Sequence, residues 1–319
     1  MDIFSINIFS LIAFILASYS VMANDAVQTL GTFIRSNRRI LNWYQMFFFA
    51  AGIMIFTIWN SWYFNLGDIS YGRLDKIPFR NPTSWMVIVP PLILVILTRI
   101  GIPVSTTFII LSSITSELVF NKMLIKSFLG YGLAAFVAFF TWIIINKYFH
   151  EDKYPMSREV KKNWRIFQFT TTALLWYLWL SHDIANIAVY LPRSLDIFSM
   201  IIITLILSSF LLFMLYEKGG RIQKIIKSKA GTKNVRAATL IDLSYAAILL
   251  YFKYHSKIPM STTWVFIGLL TGRELAISLM NSGSIGFRAA LPVVAVDFAK
   301  VLFGLVTGVA IFILLKGKF

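Results

Sequence analysis

Two stretches of this 319-residue chain decide its fold: Ile102-Pro103-Val104-Ser105-Thr106-Thr107 and Ile258-Pro259-Met260-Ser261-Thr262-Thr263. Pro103 and Pro259 stand 156 positions apart. A second, unlike pair precedes them in the same order. Asn24-Asp25 is followed by Ala26-Val27-Gln28-Thr29-Leu30-Gly31-Thr32, and His182-Asp183 by Ile184-Ala185-Asn186-Ile187-Ala188. Asp25 and Asp183 are 158 apart. Two motifs recurring in one order at nearly one offset indicate that half of the chain is duplicated. The expected division is a first repeat over 1–146, a basic connector over 147–165 and a second repeat over 166–319.

The motifs sit among long apolar runs. Hydrophobic residues make up 58% of the chain and charged ones only 14%, about half the usual share, which excludes an ordinary soluble domain. Runs at 3–22, 45–64, 124–146, 196–216 and 289–315 have the roughly 20 residues needed to cross a bilayer core. Shorter runs lie at 84–99, 104–120, 166–181, 238–252 and 261–281, and their spacing leaves open whether 84–120 and 238–281 cross fully or re-enter. Two arms, 26–34 and 184–192, are about half a span long. Paired short arms interrupted by polar residues are a sign of broken helices in a transporter. The expected fold class is therefore an all-α polytopic membrane protein with broken or re-entrant helices. The opening stretch has no basic n-region, Asp2 being its one charge, and reads as the first membrane segment rather than a signal peptide.

Charge in the loops orients the halves. The net charge is +16, from 30 Lys and Arg against 14 Asp and Glu. Loop 35–44 carries Arg35, Arg38 and Arg39, whereas its counterpart has Arg193 offset by Asp196. Loop 65–83 balances Arg73, Lys76 and Arg80 against Asp68 and Asp75; its counterpart 217–236 holds seven basic residues against Glu217. Under the positive-inside rule, 35–44, 147–165 and 217–236 are cytoplasmic, while 65–83 and 193–195 are outside. Equivalent loops on opposite sides make the repeats inverted. The basic excess thus reads as membrane topology, and no nucleic-acid partner is expected. With no cysteine, disulfides and thiolate chemistry are excluded.

The polar residues inside the runs carry the candidate chemistry. An ionised carboxylate within a membrane segment is costly and ordinarily has a partner or a function. Asn24, Asp25, His182 and Asp183 are candidate coupling-ion residues, because carboxylate and amide oxygens are hard ligands and unwound carbonyls complete a shell. The plain alternative is that both acids only cap the arm helices. Gln28 and Asn186 lie on the same helix face as the acids and join the cluster. In the Pro-x-Ser-Thr-Thr stretches, proline breaks one helix and serine caps the next. Ser105, Thr106, Thr107, Ser261, Thr262 and Thr263 then gather hydroxyl and N–H donors at helix starts, an anion site without formal charge. The alternative there is ordinary Ser/Thr packing between helices.

The set of motifs resembles the inorganic phosphate transporter (PiT) family of cation-coupled secondary permeases. Its hallmark is Asn-Asp-x-Ala-Asn-x-x-Gly-Thr/Pro in each half, followed by Pro-x-Ser-Thr-Thr-His. Asn24, Asp25, Gly31 and Thr32 match, with Gln28 in place of the second Asn. Asp183, Ala185 and Asn186 match in the other half, but His182 replaces the leading Asn and Val189-Tyr190 replace Gly-Pro. Both Ser-Thr-Thr runs are intact, followed by Phe108 and Trp264 instead of His. The resemblance implies an integral protein of the cell (inner) membrane, not an enzyme, that moves inorganic phosphate by alternating access. The six hydroxyl residues, with Gln28 and Asn186, would hold the anion, with Na⁺ or H⁺ near Asp25 and Asp183 and no other cofactor. A homodimer is compatible with it. The alternative of the same class is a permease for sulfate or another tetrahedral oxyanion; an anion channel is the next.

Remaining charges have simpler readings. Asp297 and Lys300 are expected to neutralise each other at i,i+3, and Arg273 to pair with Glu274 rather than with Glu117. Asp242 and Arg99 are expected near the interface, His150 and His255 in solvated loops, and Trp59, Trp62 and Tyr63 as interface anchors.

Overall fold

A computed structural model of the chain describes residues 6–77, 84–102, 104–148, 156–219 and 234–315, without the side chains of 281–287 and 289. Pro103, Arg80, His150, Lys153 and the basic stretch 220–233 lie outside the described residues. Every regular element among the described residues is helical.

The first half holds α1 (Ile8–Ser20), a π-turn (Val21–Asp25), α2 (Ala26–Asn37), α3 (Trp43–Phe64), α4 (Val89–Ile100), α5 (Thr106–Leu111) and α6 (Glu117–Tyr148). The second holds α7 (Arg158–Asp183), α8 (Ala185–Ala188), α9 (Ile197–Tyr216), α10 (Val235–His255) and α11 (Thr262–Leu315). Among the described residues, seven helical stretches are long and apolar enough to cross a membrane, and the chain is an integral, multi-pass membrane protein. Helix α4 and the 3₁₀ turn before it, Trp85–Ile88, together give a shorter apolar helix, Trp85–Ile100. At 1.5 Å per residue it covers roughly 24 Å, short of a full core. Its counterpart α10, with 21 residues, is long enough.

Helix ends follow the local sequence. Asn7, Ser157, Asp196 and Asn234 each accept a backbone N–H at a helix start. Helix α4 ends at Gly101, whose φ of 84° closes the turn while the N–H of Ile102 returns to the Leu97 carbonyl at 3.0 Å. The long helices show their apolar side chains outward, with Phe56, Phe136 and Leu205 each 62% exposed. In lipid such exposure costs nothing, so cohesion must come from close backbone approach and internal hydrogen bonds. Gly268 and Gly272 of α11 supply that approach against the Tyr131 and Ala135 carbonyls of α6. Gly304 and Gly308, later on α11, pack on Val104, Ser105 and Phe108.

Packing pairs the halves. Helix α1 lies on α4 as α7 lies on α10; α3 packs on α7 as α9 packs on α1; α5 meets α8 as α11 meets α2. Each of these contacts has a partner obtained by exchanging the halves. Between them, the stacked indoles of Trp176 and Trp179 (4.9 Å, 4°) fix α7. Trp176 donates to the Ala50 carbonyl at 2.9 Å, and Trp179 to Thr262 Oγ1 at 3.2 Å.

Candidate functional site

The first expected break is gentler than the sequence suggests. Val21–Asp25 form a π-turn, and the Ala26 N–H bonds the Val21 carbonyl, so the path from α1 into α2 stays helical. A π-turn inserts a residue without unwinding the helix and turns side chains to a new face, here that of Asn24 and Asp25. The second break is a tight turn at Ile184, whose N–H reaches the Leu180 carbonyl at 3.0 Å. Asp25 and Asp183 both have helical geometry, and Asp25 accepts no capping bond from α2. The capping alternative is thereby set aside, and so are unwound carbonyls at these turns.

The hydroxyl motifs are built as expected. After extended residues, Ser105 accepts the Phe108 N–H at 3.2 Å and starts α5; Ser261 accepts the Trp264 N–H at 3.3 Å and starts α11. All twelve candidate residues are buried: Asn24, Asp25, Gln28, Ser105, Thr106, Thr107, His182, Asp183, Asn186, Ser261, Thr262 and Thr263.

Nine of them form one connected cluster. Thr106 donates to Asp25 Oδ2 at 2.5 Å, and Thr262 donates to Asp183 Oδ2. Thr263 donates to the Val104 carbonyl at 3.3 Å, and Thr107 to the Met260 carbonyl at 3.3 Å. These pairs interchange when the halves are exchanged. Thr263 also lies 3.3 Å from Asp25 Oδ1. Asn186 donates to Thr106 at 3.0 Å and Thr107 at 3.2 Å, and stands 3.4 Å from Asp183 Oδ1. Asn24 bonds both Asp25 Oδ1 and the Val104 carbonyl at 2.9 Å, while Gln28 donates to Asn24 at 3.1 Å and Asp25 at 3.3 Å. Ser105 and Ser261 act one step back, as caps that aim the threonines.

His182 breaks the symmetry. Where Asn24 bonds the Val104 carbonyl, His182 turns its Nε2 to the Leu249 carbonyl at 2.9 Å. Against the same nitrogen, at 3.3 Å, lies Nη2 of Arg73, whose Nε donates to the Ser181 carbonyl at 2.6 Å. Sequence reasoning placed Arg73 among loop charges, yet it is only 3% exposed. The loop around it is ordered. Asp68 accepts the N–H groups of Ser70 and Gly72 at 2.8 and 3.0 Å, and Ile69, Leu74 and Ile77 are buried. That apolar spacing within a loop was the available signal. Gly67, at φ 93°, seats the loop against Ser194 and Leu195, where a Cβ would meet Ser194 Oγ at 2.7 Å.

Lys126 is a second buried cation, 7% exposed. It donates to the Ser256 and Ile258 carbonyls at 3.0 and 2.6 Å, and so holds the extended stretch that leads into Ser261. Arg193 similarly ties the Ala188 carbonyl (3.1 Å) to that of Ile77 (2.9 Å), bracing the short arm.

Several other expectations need correction. Asp242 is not interfacial: it is 1% exposed and accepts hydroxyls from Thr32 and Thr172 at 2.5 and 2.6 Å. It borders a cavity of about 30 Å³ that Gln28 lines from the side of the cluster. Trp59 and Trp62 turn inward, to Thr204 at 3.0 Å and the Leu195 carbonyl at 2.8 Å, leaving Tyr63 outermost. Arg99 is exposed and lies over the Tyr19 ring, and His255 is exposed. Arg273 pairs with Glu274 at 3.5 Å and lies over Trp142, and Asp297 bonds Lys300 at 3.2 Å, both as expected.

No protein-family model matches the sequence, and no curated protein matches it either. Among solved structures, the chain is similar to one described as "The sodium-dependent phosphate transporter". The TM-score is 0.62 at 15% identity, over 97% of this chain and 98% of that one. So complete a match at so low an identity means that the whole helical arrangement, not one motif, is shared. The chain has the fold of a phosphate transporter.

Proposed function

We propose that this chain is a secondary transporter of inorganic phosphate, coupled to Na⁺ or H⁺ and working by alternating access around the threonine–aspartate cluster. The observation that carries the reading is the reciprocal wiring of the halves. Each acid takes a hydroxyl from its own half's Ser-Thr-Thr motif, and each motif sends a second hydroxyl to a carbonyl of the other half. A site divided this way is remade when the halves rock, which is what inverted repeats accomplish in carriers. The exchange-related helix contacts support such a duplication. The fold likeness to a sodium-dependent phosphate transporter supports both anion and cation.

The chemistry favours phosphate over sulfate. Thr106 and Thr262 spend their hydroxyl protons on carboxylates here, so an arriving anion must take those protons over. Asp25 and Asp183 then need new donors. Monohydrogen phosphate and dihydrogen phosphate carry their own O–H groups and supply them; sulfate has none. A cation at the acids meets the remaining need by compensating charge, and anion and cation thereby stabilise each other.

Uptake of labelled phosphate and labelled sulfate into proteoliposomes, with Na⁺ and pH gradients imposed separately, tests the reading. Phosphate accumulation driven by one of the gradients is expected. Sulfate accumulation without phosphate moves the chain to the alternative substrate, and movement of neither defeats the transport reading. Asp25→Asn and Asp183→Asn should each reduce uptake.

A further inference from the structure

Each acid of the cluster takes a threonine hydroxyl from its own half, but the two differ in their further donors and in the cationic groups around them. Asp25 accepts from the side-chain amides of Asn24 and Gln28 and from the hydroxyls of Thr106 and Thr263, and with Asn24 Oδ1 and the Val104 carbonyl it forms a knot of oxygens linked by bonds of 2.5–3.3 Å. No cationic side chain among the described residues pairs with Asp25. Oxygens gathered at a buried carboxylate that has only neutral donors suit a small hard cation.

At Asp183 the equivalent shell is incomplete. Residue 182 is the counterpart of Asn24, and its imidazole points to Leu249 instead of the Met260 carbonyl. Behind it, Arg73 is clamped by the Ser181 carbonyl and lies against His182, the two residues that precede Asp183 in the chain. Among the described residues Arg73 Nη1, His182 Nδ1 and Asn186 Oδ1 are buried without a hydrogen-bond partner. A buried guanidinium is costly without a counter-charge, and Asp183 follows directly on the residues that Arg73 touches. The Gly67 and Gly72 turns hold the loop that delivers it.

Resting on the transport reading above, we propose that Arg73 takes the place of a second coupling cation, so that the chain binds one Na⁺, at Asp25, and carries the other positive charge covalently beside Asp183. Substituting a tethered charge for a mobile one halves the number of ions moved with each anion. It also explains why the leading Asn is lost in one half only. A histidine there removes an oxygen ligand and gives the guanidinium a flat neighbour.

The test is equilibrium binding of ²²Na⁺ to the purified full-length protein in detergent, counted per chain. One Na⁺ per wild-type chain is expected, falling to none in Asp25→Asn. Arg73→Gln should raise the count to two, and Arg73→Lys should hold it at one, since charge and not shape sets the number. Two ions bound to wild type, none bound to wild type, or no gain in a folded Arg73→Gln overturns the inference. Should Arg73→Gln fail to fold, Asp183→Asn decides: it should leave one Na⁺ bound, and any loss there sinks the proposal. Phosphate counterflow measured on the same wild-type preparation keeps the two readings apart. Exchange with an unexpected Na⁺ count leaves transport intact, whereas the expected count without exchange leaves the cation site intact and removes phosphate.

Discussion

Thr263 Oγ1 lies 3.3 Å from Asp25 Oδ1, across 238 positions of chain. The reverse link is Thr107, which donates to the Met260 carbonyl at 3.3 Å, 153 positions later. Each half therefore supplies a donor to the other, and neither makes the cluster alone. Four expectations follow from this wiring and from the packing around it.

Thr106→Val and Thr262→Val each remove a hydroxyl that bonds a carboxylate. A hydrogen bond to a charged group contributes about 1.5–3 kcal/mol, so the apparent KM for phosphate should rise on the order of 10- to 100-fold. Ser105→Ala, which loses only a cap, should raise it less. Initial-rate uptake across phosphate concentrations checks the order; an unchanged KM in both threonine variants would return these residues to packing.

Close approach of α11 to its neighbours predicts graded glycine effects. A Cβ at Gly272 would sit 2.0 Å from the Ala135 carbonyl oxygen, and one at Gly308 2.5 Å from that of Phe108. Both contacts are backbone and have little room to yield. Gly272→Ala and Gly308→Ala should each cost about 1–3 kcal/mol of stability. Gly52→Ala meets nothing within 4 Å and should be neutral. Thermal unfolding in detergent, followed by tryptophan fluorescence, distinguishes the three.

Asp242 should matter for stability more than for substrate affinity. Asp242→Leu strands the hydroxyls of Thr32 and Thr172 in a buried site, at a cost of about 1–3 kcal/mol for each group. Asp242→Asn retains one acceptor and should lose less. Phosphate KM should stay within about twofold in the Asn variant, because Asp242 meets Gln28 only across the cavity. A large KM change would bring Asp242 into the binding site itself.

Lys126→Met frees the Ser256 and Ile258 carbonyls that set the path into Ser261. Displacing Thr262 and Thr263 should then lower the maximal uptake rate together with apparent affinity. Lys126→Arg, which keeps a donor on a long stem, should restore part of both. Kinetics of the two variants side by side measure this.

Much of the site was legible in the sequence because its signals are local. Ser105 and Ser261 start helices for reasons contained in six residues, and Asp25 and Asp183 stand out against apolar neighbours. Their convergence was legible through repetition, since two copies of one motif imply two halves of one site. The environment of Asp183 was not legible in this way. Arg73 reaches His182 across 109 positions through a loop whose path depends on Gly67, Asp68 and three buried aliphatic residues, not on any helical period. Asp242 was misplaced for a related reason. Its partners Thr32 and Thr172 lie on two other helices, and hydrophobic runs do not reveal which faces meet. The expectation of an unwound chain at Asp25 gave too little weight to the π-turn. It admits a polar kink while keeping the Ala26 N–H bonded.

Counterflow tests the central claim most directly. Proteoliposomes holding the full-length chain are loaded with unlabelled phosphate, diluted into labelled phosphate, and sampled with and without Na⁺. The account predicts transient accumulation of label above equilibrium, abolished by Asp25→Asn together with Asp183→Asn. Label that only equilibrates, at a rate indifferent to internal phosphate and to both substitutions, would contradict it.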